Sequence, residues 1–197
     1  MQLKNKVTLA AAGSGKTTDI VRTAIETKEK VFLITTFTAY NLTEIRNKFF
    51  SEIGYVPKNV KIKSWFSFLL SDCVRPYQNY FYSDERVENI LFVTGKSAPR
   101  IKKSNTKHYY LAKGNKIFTD KISEFALECN NKSNNLVIAR LERIYDVICI
   151  DEIQDLAGYD LELLKLFFNA KLEILLVGDN RQATYSTNNS SKNKNQK

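Results

Sequence analysis

The chain has 197 residues, of which 43% are hydrophobic and 26% charged, a composition typical of a soluble globular protein of one domain or one domain with an insertion. Its apolar runs are only strand-sized and its first residues lack the features of a secretory signal, so we expect a cytoplasmic protein without a membrane-spanning helix. The net charge of +9 favours a polyanionic partner, nucleic acid first.

Short apolar runs alternate with helical patterns along much of the chain. Strands are predicted at Val7–Ala10, Val31–Ile34, Val147–Ile150 and Ile174–Val177. A helix is predicted after Lys16, because apolar residues recur on one face at Ile20, Val21, Ala24 and Ile25, and Glu26 is expected to pair with Lys30. Asp160 is expected to cap a second, strongly apolar helix. Strands that alternate with helices predict an α/β fold with a parallel sheet.

The middle of the chain interrupts this alternation. Residues 71–139 hold Tyr- and Lys-rich segments, a predicted turn at Lys113-Gly114-Asn115 and an Asn-rich stretch. We therefore predict a discontinuous main domain over 1–70 and 140–186, with 71–139 inserted as an accessory subdomain. Residues 187–197 are polar and low in complexity, which predicts a disordered tail.

A glycine-containing segment, AAAGSGKTT, lies between the first predicted strand and helix and has the pattern of a phosphate-binding P-loop, with Ala10 in place of the first glycine. Glycines let backbone N–H groups turn toward phosphates, and the helix N-terminus adds the positive end of its dipole. Lys16 is placed to reach the β- and γ-phosphates, and the Thr17 hydroxyl to bind Mg²⁺. The predicted nucleotide-binding residues are Ala12, Gly13, Ser14, Gly15, Lys16, Thr17 and Thr18.

Two acidic residues follow the third predicted strand. Asp151 and Glu152 end the segment DVICIDE, so an apolar strand delivers both carboxylates at its C-terminal end. Ligands of open α/β sheets bind at that edge. Phosphoryl transfer needs one carboxylate for Mg²⁺ and a second to orient the attacking water. We therefore predict that Asp151 binds Mg²⁺ and that Glu152 is the catalytic base.

Five motifs, in their family order, resemble those of UvrD/Rep-like superfamily 1 DNA helicases. The letters DEIQDL at Asp151–Leu156 resemble the DExQD box of that family. The segment Ser64–Phe68 resembles a further motif, with Phe66 where a histidine is frequent in the family. The remaining motifs lie at Ala12–Thr17, Thr36–Thr38 and Val177–Tyr185.

The resemblance implies a RecA-like P-loop NTPase fold with a mainly helical insertion. It implies the ATP-binding motor domain of an ATP-dependent, 3′-to-5′ DNA helicase or translocase, used in DNA repair, recombination or phage defence. ATP and Mg²⁺ would be its cofactors, and Lys16, Glu152 and Gln182 its catalytic residues, with Gln182 sensing the γ-phosphate. The family's second motor domain, with its arginine finger, is missing from the sequence. We therefore expect a truncated protein that hydrolyses ATP poorly alone and has a protein partner that supplies this domain.

Single-stranded DNA is the expected nucleic-acid partner. The resemblance assigns DNA contacts to the Thr36–Thr38 motif, and the span between Glu88 and Asp120 has no acidic residue but interleaves lysines with tyrosines. Cations that meet phosphates beside rings that stack on bases suit single-stranded DNA, although the same pattern fits a solvated basic face with aromatic residues in the core. The candidate DNA-binding residues are Thr36, Phe37, Thr38, Trp65, Lys102, Lys103 and Tyr109.

Two other functions fit the same motifs. The chain could be a P-loop ATPase that acts as a nucleotide switch in a protein complex without unwinding DNA. It could instead be an inactive module that sequesters DNA or a partner. ATP binding without a response to single strands would indicate the first, and loss of nucleotide binding the second.

Overall fold

The computed structural model describes residues 5–9, 15–83 and 85–179. These residues form two compact units. The first contains the described parts of 1–65, 141–155 and 167–185, and the second those of 66–140 and 156–166. No helix in the described ranges is long and apolar enough to cross a membrane.

The helices and strands follow one another in an alternating order at both ends of the chain. They are β1 (Lys6–Leu9), α1 (Lys16–Glu26), β2 (Phe32–Thr36), α2 (Ala39–Ile53), β3 (Val60–Ser64), α3 (Trp65–Phe68), β4 (Asn89–Leu91), α4 (Thr106–Tyr110), β5 (Leu111–Ala112), β6 (Lys116–Phe118), α5 (Ile122–Lys132), α6 (Leu136–Ile144), β7 (Val147–Asp151), α7 (Tyr159–Phe168) and β8 (Glu173–Gly178). A π-helical turn covers Leu69–Val74, and 3₁₀ turns cover Gln78–Tyr80 and Ile153–Asp155.

The first unit is built on a five-stranded parallel sheet, which confirms the predicted α/β class. The strand order is β1-β8-β7-β2-β3, and every pairing within it is parallel. All residues of β2 and β7 are buried, as expected for strands that are covered on both faces. Because the strands are parallel, their C-terminal ends lie along one edge of the sheet.

Helices α1 and α2 cover the core of this unit. The apolar stripe predicted after Lys16 is confirmed, since Ile20, Val21 and Ala24 are buried in α1. They share a core cluster with residues of the sheet and of α2, among them Phe32, Ile34, Ile45, Phe49, Val147, Cys149 and Val177. Burial of this apolar surface is the main term that holds the helices on the sheet.

Two details of the first unit differ from the sequence-based expectations. Strand β3 was not predicted, because its letters VKIKS alternate apolar and lysine residues instead of forming a continuous apolar run. The predicted pairing of Glu26 with Lys30 is wrong, because α1 ends at Glu26. Lys30 instead forms an ion pair with Glu173 on β8, with 2.7 Å between Nζ and Oε2.

The second unit contains helices and a small sheet, so its description as mainly helical was incomplete. The three short strands have the order β4-β6-β5, with β4 parallel and β5 antiparallel to β6. The predicted turn is confirmed as the connection between β5 and β6, where Gly114 and Asn115 have φ of 73° and 51°. Both residue types tolerate this left-handed conformation.

Candidate functional site

The ends of β1, β8 and β7 bring two distant parts of the sequence together. Leu9 pairs with Gly178, and Asp151 pairs with the adjacent Val177. Asp151 is the last residue of β7, and Thr17 is the second residue of α1. The hydroxyl of Thr17 donates a hydrogen bond to Oδ2 of Asp151 at 3.0 Å, across 134 positions in sequence.

The start of α1 is shaped by a glycine. Gly15 is the N-cap residue of α1 and has φ of 85°, a left-handed conformation that a residue with a Cβ adopts only with strain. Its carbonyl accepts the first helical hydrogen bond, from the N–H of Asp19. The other predicted phosphate-binding residues before the helix, Ala12, Gly13 and Ser14, lie outside the described residues, and so does Gln182.

Asp151 is a buried carboxylate with an altered affinity for protons. It is 3% exposed. Burial, and then the neighbouring Glu152 carboxylate, raise the pKa of Asp151 to about 6, against the opposing effects of the Thr17 hydroxyl, the Glu152 N–H and Lys16. A buried acid with a raised pKa at the end of a parallel strand is typical of a functional site.

The oxygen atoms of Thr17 and Asp151 suit a small divalent cation. Mg²⁺ prefers six oxygen ligands at about 2.0–2.1 Å, so that two ligands at adjacent corners of the octahedron lie about 2.9 Å apart. The hydroxyl and carboxylate oxygens, 3.0 Å apart, match that separation. These two residues are therefore the ones in the described site that would hold Mg²⁺.

Glu152 follows Asp151 in an unusual backbone conformation. Its φ is 62°, and its N–H donates to Oδ1 of Asp151 at 3.1 Å. Its carboxylate accepts a hydrogen bond from the side-chain amide of Gln154. The two carboxylates predicted for metal binding and for catalysis are thus adjacent but held by different partners.

The sequence analysis missed Lys48, which reaches the start of α1 from α2. Its Nζ donates to the hydroxyl of Thr18 at 2.9 Å. Lys48 lies 30 positions from Thr18 and belongs to none of the motifs, so only the packing of α1 against α2 reveals it.

A cavity of about 630 Å³ lies beside α1. It is lined mainly by residues of β1, α1 and β8, including Lys16, Asp19, Lys30 and Glu173. Neither Thr17 nor Asp151 lines it. The cavity is therefore next to the site formed at the strand ends and not the site itself.

Three of the candidate DNA-binding residues are buried in the first unit. Thr36 and Trp65 are 0% exposed, and Phe37 is 8% exposed. The rings of Phe37 and Trp65 pack against each other with centroids 6.0 Å apart, and Trp65 also contacts Phe167. In this arrangement neither ring offers a face to a base. Thr38 is exposed and caps α2, where its hydroxyl accepts a hydrogen bond from the N–H of Asn41.

The candidates in the second unit differ in their surroundings. Lys102 is exposed. Lys103 forms ion pairs with Glu124 at 2.8 Å and with Glu128 at 2.7 Å. The Tyr109 hydroxyl donates to Glu124 at 3.2 Å, and Lys121 lies 3.9 Å from the centre of its ring. Helix α5 thus supplies the acidic residues that the stretch from 89 to 119 lacks.

Comparison with protein families identifies the second half of the chain. Residues 100–195 match the model of the UvrD/REP helicase N-terminal domain. No curated protein sequence matches the chain. The matched range contains Asp151 and Glu152, and the hydrogen bond from Thr17 joins the start of α1, which lies upstream of the match, to this range. The match confirms the resemblance drawn from the motifs and points to a helicase-related function.

Proposed function

We propose that the chain binds ATP with Mg²⁺ at the C-terminal edge of its parallel sheet, as the motor domain of an ATP-dependent DNA helicase or translocase. The observation that carries this proposal is the 3.0 Å hydrogen bond between Thr17 and Asp151. It joins a P-loop threonine to the strand-end carboxylate that phosphoryl-transfer sites require.

Each residue of the site has a distinct part in this proposal. Lys16 and the P-loop N–H groups, including those of Gly13 and Gly15, bind the phosphates. Thr17 and Asp151 hold Mg²⁺, which when bound neutralises charge on the β- and γ-phosphates. Glu152 orients the attacking water and accepts its proton at a carboxylate oxygen.

The motor function extends this site to DNA. Gln182 would sense the γ-phosphate, and residues 1–70 with 140–186 would form the motor domain around the inserted 71–139. Thr38, Lys102 and Lys103 are the candidate DNA contacts with exposed side chains. Lys103 is held in ion pairs with Glu124 and Glu128. Movement from 3′ to 5′ is the direction that the family resemblance implies.

Nucleotide affinity tests the site directly. Lys16→Ala should weaken binding of a fluorescent ATP analogue in the presence of Mg²⁺ about 10- to 100-fold, because a charged hydrogen bond to phosphate is lost. Lys28→Ala is the matched control, since Lys28 is an exposed lysine beyond the end of α1 and should leave the affinity unchanged. Equal affinities of all three proteins would contradict the proposal.

Steady-state ATP hydrolysis with and without single-stranded DNA separates the remaining alternatives. Turnover that rises with DNA and is lost in Lys16→Ala would support the motor function. If nucleotide binding and turnover depend on Lys16 but do not change when DNA is added, the chain is a nucleotide switch. A chain that binds DNA but no nucleotide would be an inactive binding module.

A further inference from the structure

The side-chain amide of Gln154 lies between two parts of the site. Nε2 donates a hydrogen bond to Oε2 of Glu152, and Oε1 accepts one from the backbone N–H of Asp179 at 3.0 Å. Only this orientation of the amide suits both neighbours, since the opposite one would direct oxygen at the carboxylate and N–H at N–H. Gln154 therefore links the residue after β7 to the residue after β8.

The conformation of Glu152 shows why such a link matters. Its φ of 62° lies in the left-handed region, which non-glycine residues rarely adopt. Conformations of this kind persist where surrounding contacts hold them, and they cluster at active sites. The Glu152 N–H is held by Asp151, and its carboxylate is held by Gln154. The residue is thus fixed at its backbone and at its functional end.

Gly178 allows the turn at Ile153–Asp155 to approach the end of β8. A Cβ on Gly178 would lie 2.6 Å from Cγ1 of Ile153 and 2.7 Å from Oε1 of Gln154. Real Cβ atoms essentially never come this close to their neighbours. The lack of a side chain at this position therefore lets the Gln154 amide reach the N–H of Asp179.

We propose that Gln154 is a positioning residue, which fixes the Glu152 carboxylate and couples it to the backbone at Asp179. The proposal rests on the proposed function, in which Glu152 accepts the proton of the attacking water. A displacement of the backbone at the end of β8 is then passed through one amide to the carboxylate. This gives Gln154 a role distinct from that of the metal-binding Asp151.

The Asp179 backbone amide reports this coupling by NMR of the isotopically labelled full chain. Glu152→Gln removes the carboxylate that Nε2 of Gln154 contacts, so it should shift the Asp179 amide resonance. In a Gln154→Met background the same change should cause no shift, because methionine keeps the length of the side chain but neither hydrogen bond. Gln154→Met alone should move the Asp179 amide proton upfield and speed its exchange with solvent.

Two further variants make the result specific. Gln154→Glu keeps an oxygen that accepts a hydrogen bond from the Asp179 N–H, but it replaces the N–H donor that faces Glu152. The Asp179 amide should therefore stay hydrogen-bonded, and its resonance should no longer respond to Glu152→Gln. Gln78→Met is the matched control, because the Gln78 amide also donates and accepts, with Glu85 and Val87, within the second unit. It should leave the coupling intact. The proposal is overturned if Glu152→Gln shifts the Asp179 amide equally with and without Gln154, or not at all.

ATP turnover separates this proposal from the proposed function. If both hold, Gln154→Met lowers kcat about 10- to 100-fold at unchanged nucleotide Kd, as expected for a misplaced catalytic group. Native turnover in Gln154→Met would overturn the positioning role. If the unchanged chain binds no nucleotide while the Asp179 amide still responds to Glu152→Gln, the proposed function fails and the link through Gln154 stands.

Discussion

Asp151 illustrates the conflict between function and stability at a single residue. A free aspartate has a pKa of about 3.9, whereas burial and the Glu152 carboxylate raise the pKa of Asp151 to about 6. Between these two values the folded chain binds a proton that the unfolded chain has released. The free energy of unfolding therefore falls as the pH rises through this window, and above it the buried charge destabilises the fold.

Asp151→Asn should consequently stabilise the chain when no metal or nucleotide is bound. We expect the free energy of unfolding at pH 8 to rise by about 1–3 kcal/mol, and no comparable gain at pH 4, where the native carboxyl is already protonated. Urea unfolding in EDTA at the two pH values measures the difference.

Asp19→Asn is the control for this measurement, because Asp19 is an exposed aspartate in the first turn of α1. Its change should stay below about 1 kcal/mol. A loss of stability in Asp151→Asn at pH 8 would show instead that the contacts of the charged form with Thr17 and Lys16 outweigh the cost of burial.

At the scale of elements, helix α2 ends at a residue whose conformation favours glycine. Gly54 has φ of 81°, and its N–H donates to the carbonyl of Phe50. A Cβ at this position would meet nothing within 4 Å. The constraint at Gly54 is therefore conformational, whereas the constraint at Gly178 is one of space.

Gly54→Ala should lower the free energy of unfolding by about 1–2 kcal/mol, because alanine is strained in the left-handed conformation that ends α2. Gly54→Asn should lower it less, since asparagine tolerates this conformation. Thermal and urea unfolding of both variants test the order. Equal losses, or a change in ATP affinity, would contradict this account, because α2 would then end differently or reach the site.

The elements that were predicted from sequence are those with strong local patterns. Each of the four predicted strands overlaps a strand of the parallel sheet, and Ile20, Val21 and Ala24 are buried in its core. Strand β3 and the two- and three-residue strands of the second unit were missed, because such strands depend on their pairing partners more than on a local pattern. Asp160 lies within the first turn of α7 and not before it.

The candidate site also contains contacts that were predicted from sequence and contacts that were not. Thr17 and Asp151 were assigned to one site from their motifs, and the structure brings their oxygens to 3.0 Å. The contacts of Lys48 and Gln154 were not predicted, because they depend on how helices and turns pack over the sheet. Local sequence does not distinguish a core aromatic from an exposed one, and Trp65 is buried.

For the whole molecule, the lack of acidic residues between 89 and 119 overstates how basic the surface of the insertion is. Lys103 is neutralised by Glu124 and Glu128, and Lys107 forms an ion pair with Glu85 at 2.6 Å. These acidic residues lie outside the stretch from 89 to 119 that was interpreted as basic. Affinity for a polyanion should therefore depend on exposed cations that have no acidic neighbour among these contacts, such as Lys102.

Binding of single-stranded DNA as a function of salt tests this distribution of charge. Lys102→Ala should reduce the slope of log K against log salt by about 0.7, the value for one lost phosphate contact to a single strand. Lys103→Ala should leave the slope unchanged but lower the free energy of unfolding by about 1–3 kcal/mol, because it leaves the buried Glu124 without its cation. Fluorescence anisotropy over a range of salt concentrations measures the slopes, and urea unfolding measures the stabilities.

If Lys103→Ala reduced the slope as much as Lys102→Ala, Lys103 would exchange its carboxylates for phosphate when DNA binds, and the ion pairs would form part of the DNA-binding surface.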